Sequence, residues 1–215
     1  MSVNIKNIII FRTDRLGEVL LSTVCVDVLK KNFLDASISF VTSEYSRPLL
    51  EDRKDLKEIF IFDTIDKRPG IVDAFRLARQ LRRGKYDLAV VLNPHKMLHL
   101  ACFLAGIPLR LGYNRKWAFF LNRKIADNRN EGEKHEIEYT MDLLRVLDID
   151  QTPEELSLPV GKDAESRLVE ILKNEKLNFD RPLVVIHPGS SNPAKVWPKE
   201  NYAELIRELS GSIDC

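Results

Sequence analysis

Short β-branched runs and longer helical patterns alternate along this chain. Residues 5–11 hold Ile8, Ile9, Ile10 and Phe11 in succession, the pattern of a strand covered on both faces. Residues 16–32 follow with Val19, Leu20, Val24, Val28 and Leu29 at helical positions. Lys30 and Lys31 lie where a helix C-terminus favours cations. Further strands are predicted over 37–42, 59–62, 87–92 and 109–112. Helices are predicted over 71–83, 97–105 and 133–147, with a short one over 47–51. Strands joined through helices need crossover connections, so the pattern predicts a parallel sheet in a layered α/β architecture over residues 1–160.

A second unit, residues 161–215, reads differently. Residues 163–176 predict an amphipathic helix and the run LVVIH at 183–187 a buried strand. Residues 188–198 form a loop, and residues 199–209 a helix with Pro198 near its first turn. One strand with two helices offers little to cover both of its faces, so this unit is expected to be the opening of a domain whose remainder is absent.

Composition narrows the function classes. The balance of Lys+Arg 33 against Asp+Glu 32 leaves a formal charge of +1, which argues against a nucleic-acid scaffold working by bulk charge. Cys25, Cys102 and Cys215 are too far apart for a CxxC pair or for ligand spacing with the histidines, so neither a disulfide framework nor a zinc site is expected. The N-terminus lacks a signal-peptide pattern, and no apolar run reaches the roughly 20 residues of a membrane span. The expectation is a cytoplasmic soluble protein.

Two segments hold candidate chemistry. The turn Arg12-Thr13-Asp14-Arg15-Leu16-Gly17-Glu18 follows the first strand, where parallel sheets bind ligands, and sets two carboxylates and two guanidinium groups beside a helix N-terminus. That suits anion binding and base catalysis, although Asp14 as a helix cap and Glu18 as a dipole partner explain the same spacing. A helix N-terminus should lower the pKa of Glu18, while desolvation on domain closure should raise it. The second segment runs from His187 to Pro198 and combines exposed amides, Ser190, Ser191 and Lys195 in a candidate phosphate cradle. A polar connection without a ligand has the same composition.

Weaker signals remain. Asn93-Pro94-His95-Lys96 follows a buried strand and is expected to line the same crevice as the Arg12–Glu18 turn. Asp148-Ile149-Asp150 has DxD spacing but falls at a helix end, where solvated carboxylates are the simpler account. Arg76, Arg79, Arg82, Arg83 and Lys85 make a basic face that suits solvent or acidic lipid headgroups. Trp117, Phe119 and Phe120 are expected in the core.

Taken together, FRTDRLGEVLLST and VVIHPGSSNPAKVWPKENYAELIREL resemble glycosyltransferase family 9, the ADP-heptose:lipopolysaccharide heptosyltransferases. The resemblance implies a GT-B fold: a Rossmann-like acceptor domain over 1–160 and the beginning of a second Rossmann-like, nucleotide-sugar domain over 161–215. It implies an inverting, metal-independent transfer without a cofactor. The family's catalytic carboxylate, the acid after Gly in its LGD pattern, falls on Glu18, one methylene longer here. Its donor-phosphate lysine falls on Lys195, with Ser190, Ser191 and Asn192 as neighbouring donor contacts. Arg12, Asp14, Arg15, His95 and Lys96 are then the acceptor-side candidates. The implied partners are a nucleotide-sugar donor and a glycolipid or lipopolysaccharide-core acceptor, with peripheral contact at the inner face of the cytoplasmic membrane and no nucleic acid. The family's Asp-Thr-Gly stretch has no counterpart in these residues, so a non-catalytic acceptor-binding module is the alternative expectation.

Overall fold

The computed structural model describes residues 5–64, 67–151, 156, 158–175, 182–190 and 192–213. It divides into two compact units, Met1–Pro159 and Val160–Cys215. In the first, strands β1 (Asn7–Phe11), β2 (Ser37–Thr42), β3 (Leu56–Ile61), β4 (Leu88–Val91), β5 (Leu109–Tyr113) and β6 (Arg123–Ile125) form one sheet. Every pairing is parallel and the order is β3-β2-β1-β4-β5-β6. The strand order reverses between β1 and β4, which opens a crevice outside their carboxyl ends.

Alternation along the central strands divides the core. Ile8 and Ile10 of β1, with Leu88 and Val90, face the layer of α1 (Leu16–Asn32) and, later in the chain, α4 (Glu136–Leu144). Ile9 and Phe11, with Ala89 and Val91, face α2 (Ile71–Gly84) and α3 (Lys96–Leu104). Both faces are therefore dry, as an uninterrupted apolar run requires. Crowding continues at β5, where a Cβ on Gly112 would lie 2.8 Å from Leu121 and 3.2 Å from the Val91 carbonyl. Only glycine fits that close approach without a shift.

Several expectations shift. Strand β6 was not foreseen, because Arg123 and Lys124 give it no apolar run; it is a short charged edge strand. The helix expected over 133–147 starts at Glu136, since His135 caps it: the His135 Nδ1 accepts from the Ile137 N–H, and the Glu138 carboxylate accepts from the His135 N–H at 2.7 Å. Phe119 is not core but 69% exposed, whereas its neighbours Ala118 and Leu121 are buried. The short helix expected over 47–51 is a 3-10 turn, Glu44–Leu49, capped by Ser43.

In the second unit, α5 (Lys162–Asn174) and α6 (Lys199–Ser212) form as expected, with a 3-10 turn at Pro193–Lys195 between them. The strand expected over 183–187 does not form. Leu183 and Val185 are exposed, the latter by 80%. A strand needs a neighbouring backbone for its N–H and C=O groups, and no other extended segment of this unit is paired among the described residues. Among the described residues, no helix is long and apolar enough to cross a membrane.

His99 on α3 is fully buried, and neither ring nitrogen finds a hydrogen-bond partner among the described residues. Burial pushes its pKa down to about 4; the nearby Trp117 backbone opposes this without reaching bonding geometry. A lowered histidine pKa stabilises the fold above the unfolded value and loses that contribution as pH falls from about 6.5 to about 4. We expect His99→Leu to remove a pH-dependent loss on the order of 3 kcal/mol. Urea unfolding of both proteins at about pH 7 and about pH 4.5 checks it; parallel losses would refute it.

Candidate functional site

Three strand ends and two helix N-termini converge at the crevice between β1 and β4. Arg12 leaves β1 with its backbone N–H bonded to the Val41 carbonyl of β2 at 3.0 Å, while Leu92 bonds back to Phe11 at 2.9 Å. The Arg12 side chain turns inward and is 1% exposed. Its Nε donates to Asp14 at 2.6 Å, its Nη2 to Glu18 at 2.5 Å and its Nη1 to Glu136 at 3.0 Å. The same Nη1 reaches the Leu92 carbonyl at 3.3 Å. Glu18 sits in the first turn of α1 and Glu136 opens α4, so both carry negative charge at a helix N-terminus, where it is favoured.

A second arginine continues the network. Arg129 clamps Asp127 with two bonds, 2.7 and 3.0 Å, and donates to the Leu92 carbonyl at 3.2 Å. It lies 3.6 Å from Glu136, with its guanidinium 4.2 Å from the centre of the Tyr113 ring. On the other side, Thr13 and Asn93 tie the two strand ends together. The Asn93 side chain accepts from the Thr13 N–H at 3.3 Å and donates to its hydroxyl at 3.2 Å. Thr64, after β3, donates to the Thr13 carbonyl at 2.8 Å.

The expected residues are placed as follows. The Arg12–Glu18 and Asn93–Lys96 turns lie side by side, joined by Thr13 and Asn93. Glu18 and Asp14 reach the surface from this network. Asp14 does not cap α1: Arg15 holds the cap position without a side-chain bond, and the Asp14 carboxylate is taken by Arg12. Arg12 cannot serve as the expected acceptor contact, because it is buried with all three guanidinium nitrogens engaged. Arg15 stays exposed, outside the network. His95 caps α3, its Nδ1 accepting from the Met97 N–H at 3.3 Å, and its ring meets Phe62 edge-on at 6.4 Å. Burial, with the Lys116 charge, lowers its pKa. Lys96 turns over the Trp117 ring at 5.6 Å.

Glu18 departs from the lowered pKa expected at a helix N-terminus. Its pKa is raised, first by burial against the opposing pull of Arg12, with Glu136 and Asp14 pushing it further up. Domain closure is not required for this shift. Glu18 and Glu136 share one guanidinium, through its Nη2 and Nη1 respectively. Asp127, Arg129, Glu136 and Thr64 were not anticipated. The sequence reading places Glu136 only inside the helix expected over 133–147, and its partner Arg12 lies 124 positions away.

In the second unit the loop is locally ordered. The Ser190 hydroxyl accepts from the Asn192 N–H at 3.2 Å, and the Asn192 side chain accepts from the Ala194 N–H at 3.0 Å, capping the 3-10 turn that ends in Lys195. Lys195 is exposed and makes no ion pair with a described residue. Trp197 packs edge-on to Tyr202 at 5.1 Å, which fixes the loop's exit into α6. Ser191 lies outside the described residues.

Residues 74–212 match the family model of glycosyltransferase family 9 (heptosyltransferase). The chain is 26% identical to lipopolysaccharide heptosyltransferase 2 of Escherichia coli K12, over 90% of this chain and 57% of that protein. It superposes on a family 9 glycosyltransferase from Veillonella parvula with a TM-score of 0.84 at 21% identity, covering 95% of this chain and 60% of that one. Against the E. coli ADP-heptose heptosyltransferase II structure the TM-score is 0.75 at 25% identity, covering 97% and 62%. These neighbours are of the GT-B type, and the chain spans about 60% of the length of the relatives it matches.

The network makes a directional prediction. Glu136→Gln removes a charge that raises the Glu18 pKa and should lower it, whereas Arg12→Gln should raise it. Carboxyl-carbon NMR titration of Glu18 reads both signs; an unmoved value in both variants would rule out the coupling. Arg12→Met should also cost about 3 kcal/mol of stability near neutral pH by stranding three carboxylates.

Proposed function

We propose, because the chain belongs to glycosyltransferase family 9, that the protein transfers a sugar from a nucleotide-sugar donor to a hydroxyl of a surface-glycan acceptor. The donor is ADP-heptose and the acceptor a lipopolysaccharide core or a related glycolipid. The observation that carries this reading is Glu18: a half-buried carboxylate in the first turn of α1, just after β1, with a pKa raised by burial and its carboxyl group held by a buried arginine. That combination suits a general base.

In the proposed step the Glu18 carboxylate takes the proton of the acceptor hydroxyl. The acceptor oxygen then bonds to the anomeric carbon as the bond from that carbon to the donor's phosphate oxygen breaks. The electron pair leaves with the nucleoside diphosphate, so the configuration inverts. Lys195, with Ser190, Ser191 and Asn192, is the proposed binding group for the donor's phosphates, and no metal is invoked. Asp14, Arg15, His95 and Lys96 border the crevice on the acceptor side, and Arg12 serves as a positioning residue for Glu18. A glycolipid acceptor also implies peripheral contact with a membrane, at its inner face.

A second reading is an acceptor-binding module without turnover; the chain spans about 60% of its relatives' length. The two separate in one experiment. Transfer from ADP-heptose is assayed, with donor and acceptor binding measured by calorimetry, for this chain and for a chain extended to its relatives' length with a homologous C-terminal half. Glu18→Gln is expected to lower kcat by about 10²- to 10⁴-fold with little change in KM. In the active protein, the acid limb of the kcat/KM profile should lie above the ordinary glutamate range. Acceptor binding without transfer in either chain would favour the module, and full activity of Glu18→Gln would remove the assigned base.

A further inference from the structure

We infer that the flank formed by α3, the turn at residues 117–120 and the edge strand β6 docks on an anionic lipid surface. The charge pattern is the first ground. From Leu88 to Ala126 the chain holds six lysines and arginines and not one aspartate or glutamate, within a protein whose total is +1. Lys96, Lys116, Arg123 and Lys124 are exposed and make no ion pair with a described residue; Arg115 alone is taken, by Asp127 at 3.3 Å. A field of one sign on one flank favours an anionic surface by about 1 kcal/mol-scale steps per cation, which is roughly fivefold in affinity each.

The second ground is apolar. Phe119 and Phe103 are 69% and 49% exposed. They join Phe120 and Trp117 in a run of rings with centroids 4.4 Å (Phe119–Phe120), 5.0 Å (Phe103–Phe120) and 6.1 Å (Trp117–Phe120) apart. The turn is anchored and not frayed: Ala118 and Leu121 are buried on either side, and the Arg110 Nε donates to the Phe120 carbonyl at 2.7 Å. Phe119 is thus held outward by the packing of its neighbours. Cations frame the rings, Lys96 over Trp117 and Arg110 over Phe103, each at 5.6 Å. Arg82 extends the frame by donating from α2 to the Leu104 carbonyl at 2.7 Å, next to Phe103.

Rings set among cations with no carboxylate between them match a headgroup layer, where shallow aromatic insertion and attraction to phosphates act together. A protein partner would more commonly meet charges of both signs. Lys96, the last residue of the Asn93–Lys96 turn, lies over the Trp117 ring of this flank, so the flank borders the crevice. The inference gives a location to the membrane contact in the proposed function and rests on that reading for its setting. Its test measures vesicle binding without any transfer, so either idea fails alone.

The 215-residue chain is mixed with vesicles of phosphatidylcholine alone or of phosphatidylcholine with phosphatidylglycerol. Binding is read by co-sedimentation and by Trp117 emission in a Trp197→Phe background. Expected are binding to the anionic vesicles, a blue shift of Trp117 and weakening by salt. Phe103→Ser with Phe119→Ser should reduce the affinity by about tenfold or more. Lys116→Glu with Lys124→Glu should do the same, by about tenfold or more. Both pairs replace exposed side chains, and unchanged circular dichroism and melting confirm their folds. The inference is overturned if the native chain ignores anionic vesicles, or if both variants bind as it does. It is overturned equally if sedimentation equilibrium shows a dimer that Phe119→Ser dissociates, since a second copy would then be the occupant.

Discussion

One buried guanidinium joins the parts of the first unit that approach the crevice. Arg12 ends the central strand, and its three nitrogens reach Asp14 just beyond it, Glu18 on α1 and Glu136 on α4. Two helices are thereby tied by their N-termini to one strand end, where like-charged carboxylates would otherwise repel. Desolvating an arginine is costly, and the arrangement is favourable because charged acceptors on several sides replace its water. The Leu92 carbonyl, shared by Arg12 and Arg129, completes the enclosure.

This arrangement has a chemical consequence. A carboxylate bonded to arginine at a helix N-terminus ordinarily becomes a weaker base. Here burial outweighs that pull, and Glu136 and Asp14 push in the same direction. Arg12 thus both fixes where the Glu18 oxygens lie and draws their pKa down, while burial, Glu136 and Asp14 set the opposite, prevailing direction.

The two units differ in how much the chain supplies to them. The first has dry layers on both sheet faces, so each apolar run finds its cover. In the second, the loop before α6 is ordered by contacts a few residues apart: Ser190 to Asn192, Asn192 to Ala194 and Trp197 to Tyr202. Such short-range bonds form without a sheet. The run at 183–187 has the composition of a strand but no paired neighbour among the described residues, and it remains irregular. Composition alone therefore could not tell a strand from a strand's raw material.

The sequence by itself determined the layer order of the first unit, because uninterrupted apolar runs alternating with helical patterns admit little besides a parallel sheet covered on both sides. It also located the two loops, from their place after apolar runs and their unusual density of charge, glycine and serine. It missed β6, whose Arg123 and Lys124 need no core to pair at an edge, and it misjudged Phe119, which local hydrophobicity places inside. Tertiary structure alone decided the charge network. Glu136 becomes a partner of Arg12, and Arg129 a neighbour of Glu136, only once α4 is laid beside α1, and no local pattern encodes a contact spanning more than a hundred residues. The pKa of Glu18 follows the same logic: its sign depends on burial and on charges delivered by distant segments, which the fold brings together and the linear chain keeps apart.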